Sequence, residues 1–225
     1  MTEENKSKLE QLQSMINSLK EIITIIVGLA LTNAIIQFLM VGGTVREITE
    51  ISLGSAVIFI LLIINMIRFY HGNFRHLDVT YSSTNFQELA SGDIRYHPIE
   101  EKVTMDFFLI LIESLILCVM SFYQVKPIYF FYIFSGLLIV DIIWFFATYH
   151  FVPNREAFQH QKKWAINNIV AIILLLIICS FSVSVDQEIL TYASSIVLFA
   201  NTIGDYRENW HFYFPIPFRE KEGKK

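Results

Sequence analysis

Residues 105–148 read MDFFLILIESLILCVMSFYQVKPIYFFYIFSGLLIVDIIWFFAT, and this stretch decides the class of fold. It contains two mostly apolar runs of about 20 residues, the length that an α-helix needs to cross the hydrocarbon core of a bilayer. Lys126 and Pro127 separate the two runs, and a proline at this point favours a tight turn. The stretch therefore predicts two transmembrane helices, over 105–124 and 127–148.

The same length criterion predicts further spans on both sides of this pair. Apolar runs cover 22–41, 52–70 and 165–185, and a shorter, more polar run covers 189–204. Hydrophobic residues make up 54% of the 225 positions and charged residues 17%, which is typical of a polytopic membrane protein. We therefore predict an all-α fold with six transmembrane helices. The net charge of −4 gives no indication of a nucleic-acid partner.

The distribution of basic residues predicts the orientation of the bundle. With six spans, all of the 17 Lys and Arg residues except Arg46 and Lys126 fall on one side of the membrane. The positive-inside rule then puts both termini and the two long connections, 71–104 and 149–164, in the cytoplasm. We predict a protein of the cell membrane (the inner membrane in a two-membrane cell). It would have a cytosolic helix at 1–21, a bundle at 22–204 and a cytosolic aromatic and basic tail at 205–225.

A short heptad pattern precedes the first span. Leu9, Leu12, Ile16, Leu19 and Ile23 recur at alternating spacings of three and four residues, which makes an a/d seam. One interpretation is a parallel coiled coil that joins several copies of the chain. The other is an amphipathic helix that lies on the inner membrane surface or packs on the protein's own loops. Two heptads are marginal as an isolated helix, so both interpretations stay open.

Two carboxylates, Glu113 and Asp141, lie deep inside apolar runs. Each is about eight residues from the cytoplasmic end of its span, which is a depth of ~12 Å at ~1.5 Å per residue. A charge at the bilayer centre costs roughly 2.5–3.5 kcal/mol on insertion scales, so such residues generally have a function or a partner. The sequence therefore predicts that the two acids lie at the same depth.

Other embedded polar residues fall toward the same end of the spans. These are Asn65, Arg68, Asp106, Asn168, Asn201 and Asp205. One interpretation is a path for an ion or a proton, or a ligand pocket, that opens to the cytoplasm. The alternative is mutual pairing, in which Arg68 neutralises Glu113, Asp141 or Asp205 and the asparagines bond neighbouring helices.

The first span carries two polar residues in its outer half. Asn33 and Gln37 are four residues apart and share one helix face. If the heptad joined several copies around an axis, this face would line the pore.

Three histidines are weak candidates for a metal site. His71 and His76 are five residues apart, whereas two ligands on one helix face need a spacing of four. Together with His150 and Asp205 they would supply the ligands of an intramembrane hydrolase. The spacing matches no known ligand motif, and no cofactor is predicted.

The predicted function is a small homo-oligomeric ion-conducting channel or pore subunit, gated from the cytoplasm. Such a subunit could serve as the effector of a partner that senses a signal. One alternative is an intramembrane metal-dependent hydrolase. The other is a membrane anchor that recruits a cytosolic protein through 71–104 and 205–225. The predicted partners are therefore the lipid bilayer, further copies of the chain and a cytosolic protein.

Overall fold

The computed structural model describes residues 3–41, 43–81, 99–149 and 155–214. These residues are almost entirely helical. The helices are α1 (Glu3–Leu39), α2 (Leu53–Thr80), α3 (Ile99–Tyr123), α4 (Pro127–Tyr149), α5 (Arg155–Ser180), α6 (Gln187–Glu208) and α7 (Trp210–Tyr213). Between α1 and α2, the strands β1 (Met40–Val41) and β2 (Thr44–Val45) pair antiparallel, and a 3₁₀ turn follows at Ile48–Glu50.

The helix starts follow from local sequence. Pro127 is the first residue of α4, where its missing N–H is not needed and its fixed φ suits a helix. Ser52 caps α2 by accepting from the backbone N–H of Ser55 at 3.2 Å, and Asp186 caps α6 in the same way. Gly43 has φ +85°, a conformation that favours glycine, and it turns the short hairpin.

Within the described residues, five helices are long and apolar enough to cross a membrane. They cover Glu10–Leu39, Leu53–Thr80, Glu101–Tyr123, Pro127–Ala147 and Lys162–Ser180. The prediction of an all-helical chain compatible with a polytopic membrane protein is confirmed in this form. The sixth predicted span lies in α6, which does not meet the same criterion of composition.

The six long helices pack as a closed ring. Its order is α1, α2, α6, α5, α4 and α3, and α3 returns to α1. A buried apolar cluster fills the interior, with Leu61, Phe130, Phe134, Leu137 and Leu198 fully enclosed. Because the ring has a single interior, polar side chains that point inward from different helices meet there.

The helices extend farther than the apolar runs that predicted them. α2 continues to Thr80, α3 begins at Ile99 and α5 begins at Arg155. The two predicted connections, 71–104 and 149–164, are therefore partly helical, because 71–80, 99–104 and 155–164 belong to α2, α3 and α5. Residues 82–98, 150–154 and 215–225 lie outside the described part of the chain. An apolar run ends where a helix leaves the bilayer, but an amphipathic helix continues as long as one face stays buried.

The N-terminal seam packs within the chain. α1 is one continuous helix of 37 residues, so no break separates the predicted N-terminal helix from the first span. Ile16, Leu19 and Ile23 are buried in one cluster with Leu77 of α2 and Val103 of α3.

This packing favours the interpretation in which the N-terminal helix packs within the chain, and it gives no support to a coiled coil between copies. A seam that is covered by α2 and α3 is not free to join copies of the chain. The interpretation of packing within the chain fits, although the seam packs on helices rather than on loops. Leu12 packs partly buried against the same cluster, and the side chain of Leu9 lies outside the description.

Leu19 offers a test of this packing. We expect Leu19→Ala to lower the free energy of unfolding by about 2–5 kcal/mol, because it removes a fully buried side chain and leaves a cavity. Thermal unfolding followed by circular dichroism in detergent measures the change. Ser18→Ala, at the exposed neighbouring position, is the control and should have no effect. If Leu19→Ala instead separated an oligomer and left thermal stability unchanged, the seam would lie between copies.

Candidate functional site: two buried polar networks

Arg68 of α2 is the centre of the larger network. Its Nε donates to Asp205 Oδ2 at 2.5 Å, and its Nη1 donates to Asn201 Oδ1 at 2.8 Å. Arg68 and Asp205 are both buried. Of the three carboxylates that sequence offered as partners, Arg68 therefore pairs with Asp205 of α6.

Two more donors complete the environment of Asp205. Asn209 Nδ2 donates to Oδ1 at 2.7 Å, and the Tyr213 hydroxyl donates to Oδ2 at 2.8 Å. Burial and the Asp205 carboxylate both raise the pKa of Tyr213, so its hydroxyl keeps its proton and remains a donor. Asp205 thus has an ion-pair partner and hydrogen bonds to both oxygens, and it fixes the short helix α7 to the bundle.

Asparagines carry the network from α6 to α4. Asn201 Nδ2 donates to Asn168 Oδ1 at 3.0 Å, and Asn168 Nδ2 donates to Asp141 Oδ2 at 3.1 Å. Asn167 Nδ2 adds a bond to the backbone oxygen of Asn201 at 2.8 Å. The chain of contacts therefore runs from Arg68 and Asp205 to Asp141 across four helices.

The network ends in two carboxyl groups that face each other. Glu113 of α3 and Asp141 of α4 lie within hydrogen-bonding reach of one another, and both are fully buried. Asn73 of α2 donates to Glu113 Oε2 at 3.1 Å. The two acids that the sequence put at a common depth are thus in direct contact.

This acidic pair is the incomplete part of the network. Among the described residues, Arg68 is the one cation that hydrogen-bonds to the network, and it is already paired with Asp205. Glu113 Oε1 is buried with no hydrogen-bond donor in the part of the chain that the structure describes. Two ionised carboxylates can only accept, so neither can satisfy the other.

Asn65 lies beside this network and joins α2 to α6. Its Nδ2 donates to the backbone oxygen of Leu61 at 2.9 Å, and Thr202 Oγ1 donates to its Oδ1 at 3.3 Å. Both of its polar atoms are therefore used within the interior, as expected for an interhelical amide in a membrane bundle.

Asp106 belongs to a second network, between α2, α3 and α4. It accepts from Tyr81 at 2.6 Å, from Trp144 Nε1 at 2.9 Å and bonds His76 Nε2 at 3.0 Å, while Lys102 Nζ lies 4.0 Å away. Burial and the Asp106 carboxylate raise the pKa of Tyr81, which therefore stays protonated and donates. Sequence had grouped Asp106 with Glu113, because seven residues separate them on one face. The two carboxylates have separate hydrogen-bond partners.

The polar residues of α1 lie apart from both networks. Asn33 Nδ2 donates to Ser121 Oγ of α3 at 2.8 Å, and Gln37 is partly buried. Asn33 therefore contacts the chain's own α3. The expectation that this face lines a pore between copies has no support from its packing.

The histidines have different neighbours. His71 packs against the rings of Tyr213 and Phe214, each 5.4 Å away between centroids, whereas His76 bonds Asp106. His150 lies outside the described residues. Within those residues, no group of three or more His, Cys, Asp or Glu side chains could hold a metal ion. The described chain therefore brings no metal centre together.

Several partners in these networks escaped sequence reasoning. Trp144 lies within an apolar run, and Tyr213 lies in an aromatic tail that a membrane-interface belt would explain equally well. Asn73, by contrast, lies in the polar stretch that continues from Asn65 and Arg68 in the sequence, and it follows Asn65 by eight residues on the same helix face. This shared face requires the helix to continue beyond residue 70, where the apolar run stops.

Comparison with known proteins yields no relative. No protein-family model, curated protein or solved structure matches the chain. Function is therefore inferred from the chemistry of the two buried networks.

Proposed function

We propose that this protein conducts a small cation across the membrane along the line of buried polar side chains inside its own helix bundle. The observation that supports this most is the contact between Glu113 and Asp141, two buried acids to which no cation hydrogen-bonds within the described residues. Fixed carboxylates in a membrane interior replace the hydration that a cation loses on entry. The asparagine chain to Arg68 and Asp205 connects this pair to the cytoplasmic end of the bundle.

A sixth span is part of this proposal, and the surface of α6 supports it. The helix has 22 residues, or ~33 Å at ~1.5 Å each, and the hydrocarbon core is ~30 Å thick. Ile189, Ile196 and Ile203 lie on its outer side and are 61%, 69% and 64% exposed. Its low hydropathy comes from the inward side, where Thr191, Ser194, Ser195, Asn201, Thr202 and Asp205 are buried. An apolar outer stripe over a polar inner face suits a helix between lipid and an aqueous or ionic path.

The same inward face extends the path toward the outer side. Thr191, Ser194 and Ser195 lie on α6 between its N-terminus and Asn201, and all three are buried. Ser195 Oγ has no hydrogen-bond partner within the described residues, so it can bond a passing ion or water. With six spans and the positive-inside rule, the path runs from this outer line to the cytoplasmic Arg68.

The path lies within one chain in this proposal. Glu113 and Asp141 are buried inside the bundle of a single chain, so they would not form a ring around an oligomer axis. Assembly into a homo-oligomer and gating by a cytosolic partner both stay predictions. The outer face of α1, with Ile25, Leu29 and Ile36 exposed, is available to lipid or to another copy.

A membrane anchor is the second candidate, and the completeness of most of the network favours it. Arg68, Asn201 and Asp205 satisfy one another, and such bonds can serve only to hold helices together. In that case a cytosolic partner would bind through 71–104 and 205–225. The metal-dependent hydrolase has no comparable support, because His71 and His76 contact different partners.

Ion flux in liposomes separates these candidates. The full chain is reconstituted, and the decay of imposed proton, Na⁺ and K⁺ gradients is followed with fluorescent indicators. We expect the wild-type protein to dissipate at least one gradient. We expect Glu113→Gln combined with Asp141→Asn to slow that decay by more than about tenfold, since losing ~1.4 kcal/mol of stabilisation along the path is a factor of ten in rate.

Glu10→Gln is the matched control, because it makes the same chemical change on the exposed surface of α1. It should leave the flux unchanged. A wild-type protein that dissipates none of the three gradients would contradict the conduction proposal. The membrane anchor would then be the remaining candidate function. Flux that is insensitive to the double substitution would place the path elsewhere.

A further inference from the structure

The acidic pair poses a problem of charge. Glu113 and Asp141 are both fully buried, and their carboxyl groups are in contact. If both were ionised, two like charges would face each other in a low-dielectric interior, where ion pairs and hydrogen bonds usually compensate every buried charge. The observed hydrogen bonds supply one amide donor to each acid, from Asn73 and Asn168.

The charged groups around Glu113 and Asp141 do not neutralise this pair of buried acids. From α2, Arg68 lies near both acids, but its guanidinium is bonded to Asp205 of α6 and to Asn201. From α3, Asp106 adds negative charge and has its own partners, among them His76. Asn168 of α5 is neutral. Within the described chain, no cation is left for the pair.

We propose that Glu113 and Asp141 form a proton-binding site, in which a proton held between the two carboxyl groups is the bound ion. A protonated carboxyl becomes a donor, so it forms an O–H···O bond to the other acid. The proton lowers the buried charge by one unit and gives the pair the donor that the described residues lack. Two carboxyl groups that share a proton at close distance are a known response to like-charge repulsion.

The donors around the pair favour a proton over a metal cation. A Na⁺, Mg²⁺ or Ca²⁺ ion needs several oxygen ligands around it. Here Asn73 and Asn168 present N–H groups to the acids, so two of the four carboxyl oxygens are already occupied by donors. A proton needs only the two facing oxygens.

This inference deepens the proposed function by naming the conducted ion, and in that respect it rests on it. The binding of the proton is a property of the resting protein, however, and can be measured without any flux.

Infrared spectroscopy of the full chain in liposomes at neutral pH tests the site directly. A protonated carboxyl group has a C=O stretching band that ionised carboxylates lack, and the band shifts when H₂O is exchanged for D₂O. We expect the wild-type protein to show this band. We expect Glu113→Gln combined with Asp141→Asn to remove it, and Glu10→Gln to retain it. Circular dichroism of each variant checks that the helices are intact.

A wild-type protein without the band would overturn the inference, and this measurement needs no substitution to fold. A band that survives the double substitution would also overturn it, since another acid would then hold the proton. If the band is present but no gradient decays, the proton site stands and conduction fails. If a gradient decays in a way that depends on Glu113 and Asp141 but the band is absent, the conduction proposal is supported and the inference of a bound proton is wrong.

Discussion

Arg68→Ala is expected to lower the free energy of unfolding by about 3–5 kcal/mol, because it leaves a buried carboxylate without its partner. The guanidinium bonds Asp205 through Nε and Asn201 through Nη1, and both side chains are buried. After the substitution, the described residues would offer Asp205 only the neutral donors Asn209 and Tyr213. Denaturant unfolding in detergent, followed by circular dichroism, measures the loss.

Two further variants separate the ion pair from simple loss of volume. Arg68→Lys keeps the charge but cannot reproduce the two-pronged contact, so we expect a loss that is smaller but still measurable. Arg68→Met combined with Asp205→Leu removes both charges. We expect it to recover much of the stability, since an apolar replacement of a buried ion pair is often neutral or better.

Arg207→Ala is the control for this series, because Arg207 lies on the exposed side of the same region of α6. It should change stability little, as is usual for surface charges. If Arg68→Ala were as mild as Arg207→Ala, water would reach Asp205 in the folded protein. Such a result would favour an open vestibule over a closed ion pair.

Asp106→Ala is also expected to lower the free energy of unfolding by about 3–5 kcal/mol, because it removes a buried acceptor and leaves its donors unpaired. Asp106 accepts hydrogen bonds from Tyr81, Trp144 and His76. Its removal therefore leaves these three donors without their acceptor. Asp106→Asn keeps the shape and one acceptor oxygen, and should lose less. Thermal unfolding measures the loss of stability, and the fluorescence of Trp144 reports the change around its indole ring.

Thr104→Ala provides the control on the same helix, because Thr104 is exposed. Because the two networks have separate hydrogen-bond partners, we also expect substitutions in one network to act independently of substitutions in the other. We expect the losses of stability from Asp106→Ala and Arg68→Ala to be close to additive, since the two side chains share no hydrogen-bond partner. A strong coupling between them would show that the two networks act as one.

The sequence alone predicted an all-helical chain compatible with a membrane protein, and a common position along their helices for its two embedded acids. A transmembrane helix is recognised from the composition of one continuous segment. The run at 127–148 closely matches α4, whereas the run at 105–124 covers α3 without its first six residues. Glu113 and Asp141 each lie about eight residues from the same end of their apolar runs. Counting residues along each helix therefore predicted that the two acids lie at the same level of the bundle. α6 was harder to recognise, because the residues that lower its hydropathy are buried on the inner side.

The tertiary structure decided the partners. Arg68 had three candidate carboxylates, and its choice of Asp205 depends on α2 and α6 being neighbours in the ring. The heptad of α1 packs on α2 and α3, although the same pattern also fits a contact between copies. Asp106 and Glu113 share one helix face but meet different helices. Composition and periodicity are properties of one segment, whereas the partner of a buried charge depends on which segments lie beside it.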